Sequence, residues 1–139
     1  MKCPACKQVM IVVEHAGIEL DYCVSCQGVW FDASELELLF DRAQLGRAGS
    51  QLLALRTADS AEACRRCPLC RRGMAKALIG EKPEVLIDRC PAGDGLWFDG
   101  GELGQLLRQA LAAQPEAARV IEFLGETFAA PEPERPAAT

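Results

Sequence analysis

The sequence predicts a small α+β fold: two tandem metal-held β-hairpin modules, each followed by a helix, with an additional helix at the C-terminal end. Three observations carry that prediction. Cys3-Pro-Ala-Cys6 and Cys23-Val-Ser-Cys26 present two pairs of thiols at the spacing of metal knuckles. The arrangement recurs at Cys67-Pro-Leu-Cys70 and Cys90, and both copies end in Gly-x-Trp-Phe-Asp-x-x-Glu-Leu, at residues 28–36 and 95–103. Each copy spans only about 45 residues, a size at which apolar burial barely offsets chain entropy, so a staple is required.

Between the first two knuckles, residues 10–13 and 18–22 read as short strands around Glu14-His15-Ala16-Gly17. Ile18, Leu20 and Tyr22 alternate with Glu19 and Asp21, the period of a half-buried strand. The result is a hairpin with a knuckle at each end, a zinc-ribbon-like layout. Asp32-Ala-Ser-Glu35 then has the spacing of a capping box with Asp as the cap, and Leu36, Leu39, Phe40 and Ala43 share one helical face.

The second copy follows the same order. Residues 74–79 and 85–87 are its strand candidates, joined by a loop around Gly80-Glu-Lys-Pro83, the stretch between the knuckles being three residues longer than in the first copy. Asp99-Gly-Gly-Glu102 repeats the capping spacing, and Leu103, Leu106, Leu107 and Ala110 repeat the helical face. The resulting division is zinc module 1 at 1–47, a linker with some helical pattern at 48–63, and zinc module 2 at 64–113. A C-terminal helix follows at 114–128, striped by Ala117, Val120, Ile121, Leu124 and Phe128. The Pro-, Ala- and charge-rich tail, 129–139, is expected to be disordered.

The eight cysteines read as metal thiolates. The N-terminal residues carry no apolar signal segment, and no run of about 18 apolar residues occurs, which predicts a soluble cytoplasmic protein without membrane association. Reducing conditions there favour zinc over disulfides. A redox pair is disfavoured because no strand precedes Cys3 to place it at a helix N-terminus. Two zinc ions are expected. Cys3, Cys6, Cys23 and Cys26 form a closed, structural four-thiolate site. In the second copy Gly93 stands where a fourth cysteine is expected, and three completions remain open: Asp94, Cys64 or water, beside Cys67, Cys70 and Cys90.

The two repeats resemble the TFIIB-type transcription-factor zinc-finger family, on Cys3-Pro4-Ala5-Cys6, Cys23 to Cys26 and the 28–36 ending, then on Cys67-Pro68-Leu69-Cys70, Cys90-Pro91 and the 95–103 ending. The resemblance covers about two thirds of the chain and implies zinc binding and a small ribbon-like fold. Many relatives of this kind carry Cys-Pro-x-Gly-His-Gly at the last knuckle, with the histidine completing the site. Asp94 occupies that position here.

No catalytic residue is assigned. The lone histidine, His15, reads as an exposed turn residue, and no Gly-rich phosphate loop or Ser/His/Asp grouping appears. Of Trp30 with Phe31 and Trp97 with Phe98, at least one aromatic of each pair reads as core. The favoured function is a non-catalytic protein-interaction or regulatory module, associating with a protein partner or with itself through apolar helical faces. The alternative is a nucleic-acid-binding, transcription-linked factor using Arg65, Arg66, Arg71, Arg72, Lys76 and Arg89. A net charge of −5 and a pI near 4.9 oppose it, and cations beside an anionic metal site are expected on electrostatic grounds alone.

Overall fold

The structure, a computed structural model, describes residues 1–15, 17–42, 46–60, 65–81 and 83–113. Among them the chain forms a small α+β fold of seven antiparallel strands and three helices. The first copy supplies β1 (Ile11–His15), β2 (Ile18–Tyr22), β3 (Val29–Asp32) and α1 (Glu35–Arg42). Next come α2 (Gly46–Leu52) and a two-residue strand β4 (Arg56–Thr57). The second copy supplies β5 (Ala75–Ile79), β6 (Val85–Arg89), β7 (Gly95–Phe98) and α3 (Glu102–Ala113). No helix among the described residues is long and apolar enough to cross a membrane.

Both expected hairpins form, with Val13 opposite Leu20 in the first and Ala77 opposite Ile87 in the second. The tail motif holds a third strand in each copy that the sequence reading left unassigned. These two strands, β3 and β7, pair antiparallel with each other, so the copies share one sheet in the order β1-β2-β3-β7-β6-β5-β4. The earlier reading as hairpin plus helix therefore becomes hairpin, joining strand and helix.

Alternation along the joining strands gives the sheet two different faces. Phe31 and Phe98 point to one face and meet edge-on, with ring centroids 5.8 Å apart. Leu36, Leu39 and Phe40 of α1 and Leu103, Leu106, Leu107 and Ala110 of α3 are buried on this side, so the predicted helical faces are consumed by the sheet. Ala43 and the C-terminal stripe of residues 117–128 lie outside the described residues. The helix α2 packs between α1 and α3.

Trp30 and Trp97 point to the opposite face, fully buried and directly opposed in register. Here lies the reason for glycine in the repeated motif. A Cβ added at Gly28 would stand 2.2 Å from Cζ2 of Trp97, and one at Gly95 would stand 2.7 Å from Cζ2 of Trp30 and 2.1 Å from the carbonyl oxygen of Phe31. Each copy thus leaves the space that the other copy's indole fills. Only a residue without a Cβ permits that approach.

The aspartate of each motif has a use that its spacing did not reveal. Asp32 Oδ1 accepts from Trp30 Nε1 at 2.8 Å, and Asp99 Oδ1 accepts from Trp97 Nε1 at 2.9 Å. A buried indole N–H without a partner is costly, and these carboxylates supply one. The glutamate half of the capping box does form in the second copy, where Asp99 N–H donates to Glu102 Oε1 at 2.8 Å.

Gly95→Ala is expected to lower stability by about 3 kcal/mol through overpacking against backbone that cannot withdraw, read as a fall in the chemical-denaturation midpoint. Gly73→Ala, where an added Cβ meets nothing within 4 Å, is expected to shift the same measurement by less than about 0.5 kcal/mol.

Candidate metal centres

On the tryptophan side of the sheet, four loops bring the cysteines together. Cys3 and Cys6 precede β1, and Cys23 and Cys26 lie between β2 and β3. In the first loop Cys3 N–H donates to Gln8 O at 2.7 Å and Lys7 N–H returns to Cys3 O at 3.0 Å. In the second, Cys23 N–H donates to Gly28 O and Gln27 N–H returns to Cys23 O at 2.8 Å. Lys7 and Gln27 adopt φ of 70° and 66°, which folds each loop back so that both sulfurs face inward. Cys3 and Cys23 are buried; Cys6 and Cys26 are half-buried.

The four sulfurs form a closed set, with Sγ separations of 3.5 Å for Cys3–Cys26 and 3.4 Å for Cys6–Cys23. A disulfide would place them at about 2.05 Å. Ligands at a zinc–sulfur distance of about 2.3 Å in a tetrahedron stand about 3.8 Å apart, close to the separations found. Backbone N–H groups of Ala5 and Cys6 lie 3.3 and 3.4 Å from Cys3 Sγ, positioned to stabilise a thiolate.

The second cluster repeats this plan with one altered loop. Cys67 and Cys70 keep the fold-back, Arg71 N–H donating to Cys67 O at 2.9 Å with Arg71 at φ 66°. After Cys90 the turn is tighter, Gly93 N–H donating to Cys90 O at 3.0 Å, and the left-handed residue is Gly93 itself at φ 84°. A cysteine at that position would be strained. The tighter turn instead delivers the next residue, whose Oδ2 lies 3.4 Å from Cys67 Sγ and 3.5 Å from Cys90 Sγ. For zinc bound by sulfur at about 2.3 Å and oxygen at about 2.0 Å, the expected edge is about 3.5 Å. Cys70 and Cys90 sulfurs are 3.6 Å apart. The ligand atoms of Cys67, Cys70, Cys90 and Asp94 all lie within 4.8 Å of one another, as do those of the first set. Cys64 lies outside the described residues.

Electrostatics agree with a cation at both places. Burial raises the thiol pKa of Cys26 and pushes that of Cys67 up to about 12, so a thiolate there is unfavourable on its own. The Gln8 backbone, the largest influence on Cys6, helps bring that thiol down to about 7. Hydrogen bonds from the Cys70 and Cys67 thiols hold the Asp94 carboxyl below its ordinary range. A divalent ion removes the penalty on the buried thiolates. The donor chemistry, closed geometry and spacing of both clusters fit two zinc sites.

Both clusters share one buried layer with the indoles: Cys3, Cys23, Cys67 and Cys90 pack with Met10, Met74, Trp30 and Trp97. Two of the six basic residues singled out in the sequence lie beside acidic side chains. Lys76 is buried against Asp88, Nζ to Oδ1 at 2.9 Å with 7% and 1% of the side chains exposed, and burial raises the Asp88 pKa in spite of that lysine. Arg65 lies 3.5 Å from Asp99 Oδ1. Arg66, Arg71, Arg72 and Arg89 remain exposed. The ion pair escaped the sequence reading, although Lys76 and Asp88 occupy facing positions on adjacent strands. His15 closes β1 opposite Ile18.

Paired knuckles on hairpins, closing over a buried indole, define a tandem zinc ribbon. The family model described as transcription factor zinc-finger matches residues 2–42 and 66–109, and the chain belongs to that family. No curated protein and no solved structure gives a match.

Native mass spectrometry is expected to find two zinc ions per chain. Removing them with a strong chelator is expected to abolish the near-ultraviolet dichroism and red-shift the tryptophan emission, because both indoles lie in the layer the metals hold together.

Proposed function

We propose that this chain is a cytoplasmic, non-catalytic protein-interaction or regulatory module held by two structural zinc ions, with Asp94 as the fourth ligand of the second. The observation that carries the reading is the position of both clusters. Their cysteines are continuous with the tryptophan layer, so a metal there organises the core. Four protein ligands leave no coordination position for substrate or an activated water.

Asp94 is favoured as the fourth ligand by the 3.4 and 3.5 Å approach of Oδ2 to two sulfurs. Asp94→Ala is expected to lower the zinc content from two ions toward one on dialysis against a weak chelator, while Asp94→His retains both. Unchanged stoichiometry in Asp94→Ala would transfer the role to Cys64 or to water.

The nucleic-acid reading draws less support from the structure than from the sequence, since Lys76 and Arg65 face Asp88 and Asp99 and the whole chain is acidic. The zinc-loaded protein is expected to pass through heparin and DNA columns at low salt. Salt-sensitive retention that disappears on replacing Arg66, Arg71 and Arg72 by alanine would overturn the protein-interaction reading.

A further inference from the structure

The two ends of the sheet are covered unequally. At one end β4 lies antiparallel on the outer edge of β5, with Arg56 opposite Leu78, Thr57 opposite Ala77, and Ala58 N–H donating to Lys76 O at 3.3 Å. Leu55, just before β4, is half-buried against the helix-side core. At the other end β1, the counterpart of β5, is terminal in the sheet. The equivalence is close: Val12 faces Asp21 as Lys76 faces Asp88, and Met10 N–H donates to Met1 O as Met74 N–H donates to Arg65 O.

Since Lys76 directs its carbonyl outward to Ala58, Val12 and, two residues on, Glu14 direct their backbone groups outward from β1. No strand among the described residues receives them. The side chains there are apolar as well: Val9, Ile11 and Val12 are 68%, 48% and 63% exposed. Residues 9–14 contain neither proline nor lysine, the residues by which sheet edges are ordinarily blunted.

We propose that this edge binds the β1 strand of a second copy of the chain, antiparallel and centred on Val13, continuing the sheet across a twofold axis. The covered end supplies the template. In the same direction and register, Ile11-Val12-Val13-Glu14 of the second copy takes the places of Leu55-Arg56-Thr57-Ala58. Ile11 falls where Leu55 packs on the helix side, and Val13 falls where Thr57 lies. Val12 of each copy then faces Glu14 of the other and exchanges about four backbone hydrogen bonds in all. The register is its own mirror under the twofold, so the contact closes at two copies and leaves the short, charged β4 edges outermost. Centring on Val13 keeps the second strand clear of the Met1 carbonyl, which already occupies the Met10 N–H. This inference rests on the interaction reading above and names its partner.

The test uses the full zinc-loaded chain. Sedimentation and light scattering across a concentration series are expected to show a dimer of twice the 15.0 kDa chain, with the Val12 and Glu14 amides protected from hydrogen exchange. Val12→Pro removes an outward N–H and spares the β1–β2 ladder, so it is expected to be monomeric with zinc content unchanged. Ile11→Lys, at an exposed position, is expected to weaken the dimer roughly tenfold or more. A monomeric wild type would overturn the proposal, and protected amides in that monomer would assign the edge to residues 114–139 of the same chain. A dimer indifferent to both substitutions would place the contact elsewhere and equally overturn it. Heparin or DNA retention tests the interaction reading separately, so the two ideas fail on different measurements.

Discussion

Two indoles and two glycines organise this molecule. Trp30 lies over Gly95 and Trp97 over Gly28, so each repeat holds the space that its twin fills. The pairing of β3 with β7 follows from this exchange, because it brings the two tryptophans opposite one another at the centre of the sheet. Everything on that face is arranged around them. The motif aspartates satisfy the indole N–H groups, and one buried cysteine from each loop packs in the same layer. The phenylalanines, pointing the other way, found the second core beneath the helices.

Metal and packing are therefore a single cooperative system. A structural zinc site in a small peptide contributes on the order of 10–16 kcal/mol, as much as the net stability of an entire domain. Here that contribution reaches both copies, because the clusters border the shared tryptophan layer. Burial makes isolated thiolates unfavourable, as the raised thiols of Cys26 and Cys67 show. Metal affinity consequently falls as pH falls and protons compete for sulfur.

The repeats have diverged away from the exchange of tryptophans and glycines. In the last knuckle a tight turn through Gly93 presents a carboxylate in place of a thiolate. Lys76 neutralises Asp88 on the second hairpin, whereas Val12 stands opposite Asp21 on the first, where burial raises the aspartate pKa. The longer loop of the second hairpin is tied to α3 by Gln109, which binds Glu81 and Pro83, and to the linker by Arg56. The linker covers the second hairpin's edge, whereas no strand among the described residues covers the first hairpin's edge. The symmetry of the repeats thus persists around the tryptophans and is lost at the last knuckle and in the outer hairpin strands.

What could be read from the chain alone was whatever repeats at short range. Cysteine spacing located both clusters of cysteines, alternation in residues 18–22 located a strand, and the 3.6-residue period at Leu36, Leu39 and Phe40 located a helix whose buried face proved correct. The strands β3 and β7 stayed hidden because they are four residues long and buried on both faces, so Val-Trp-Phe and Leu-Trp-Phe show no alternation. The Lys76–Asp88 pair, the role of the motif aspartates and the cover given by β4 were equally hidden. The ion pair and the β4 cover depend on residues distant in sequence meeting across a sheet, and the aspartates, only two residues from their indoles, gain their role because the sheet buries those indoles. Local composition records which surfaces a segment must bury; only the assembled sheet decides against what they are buried, since that choice is made by the fit of one repeat to the other.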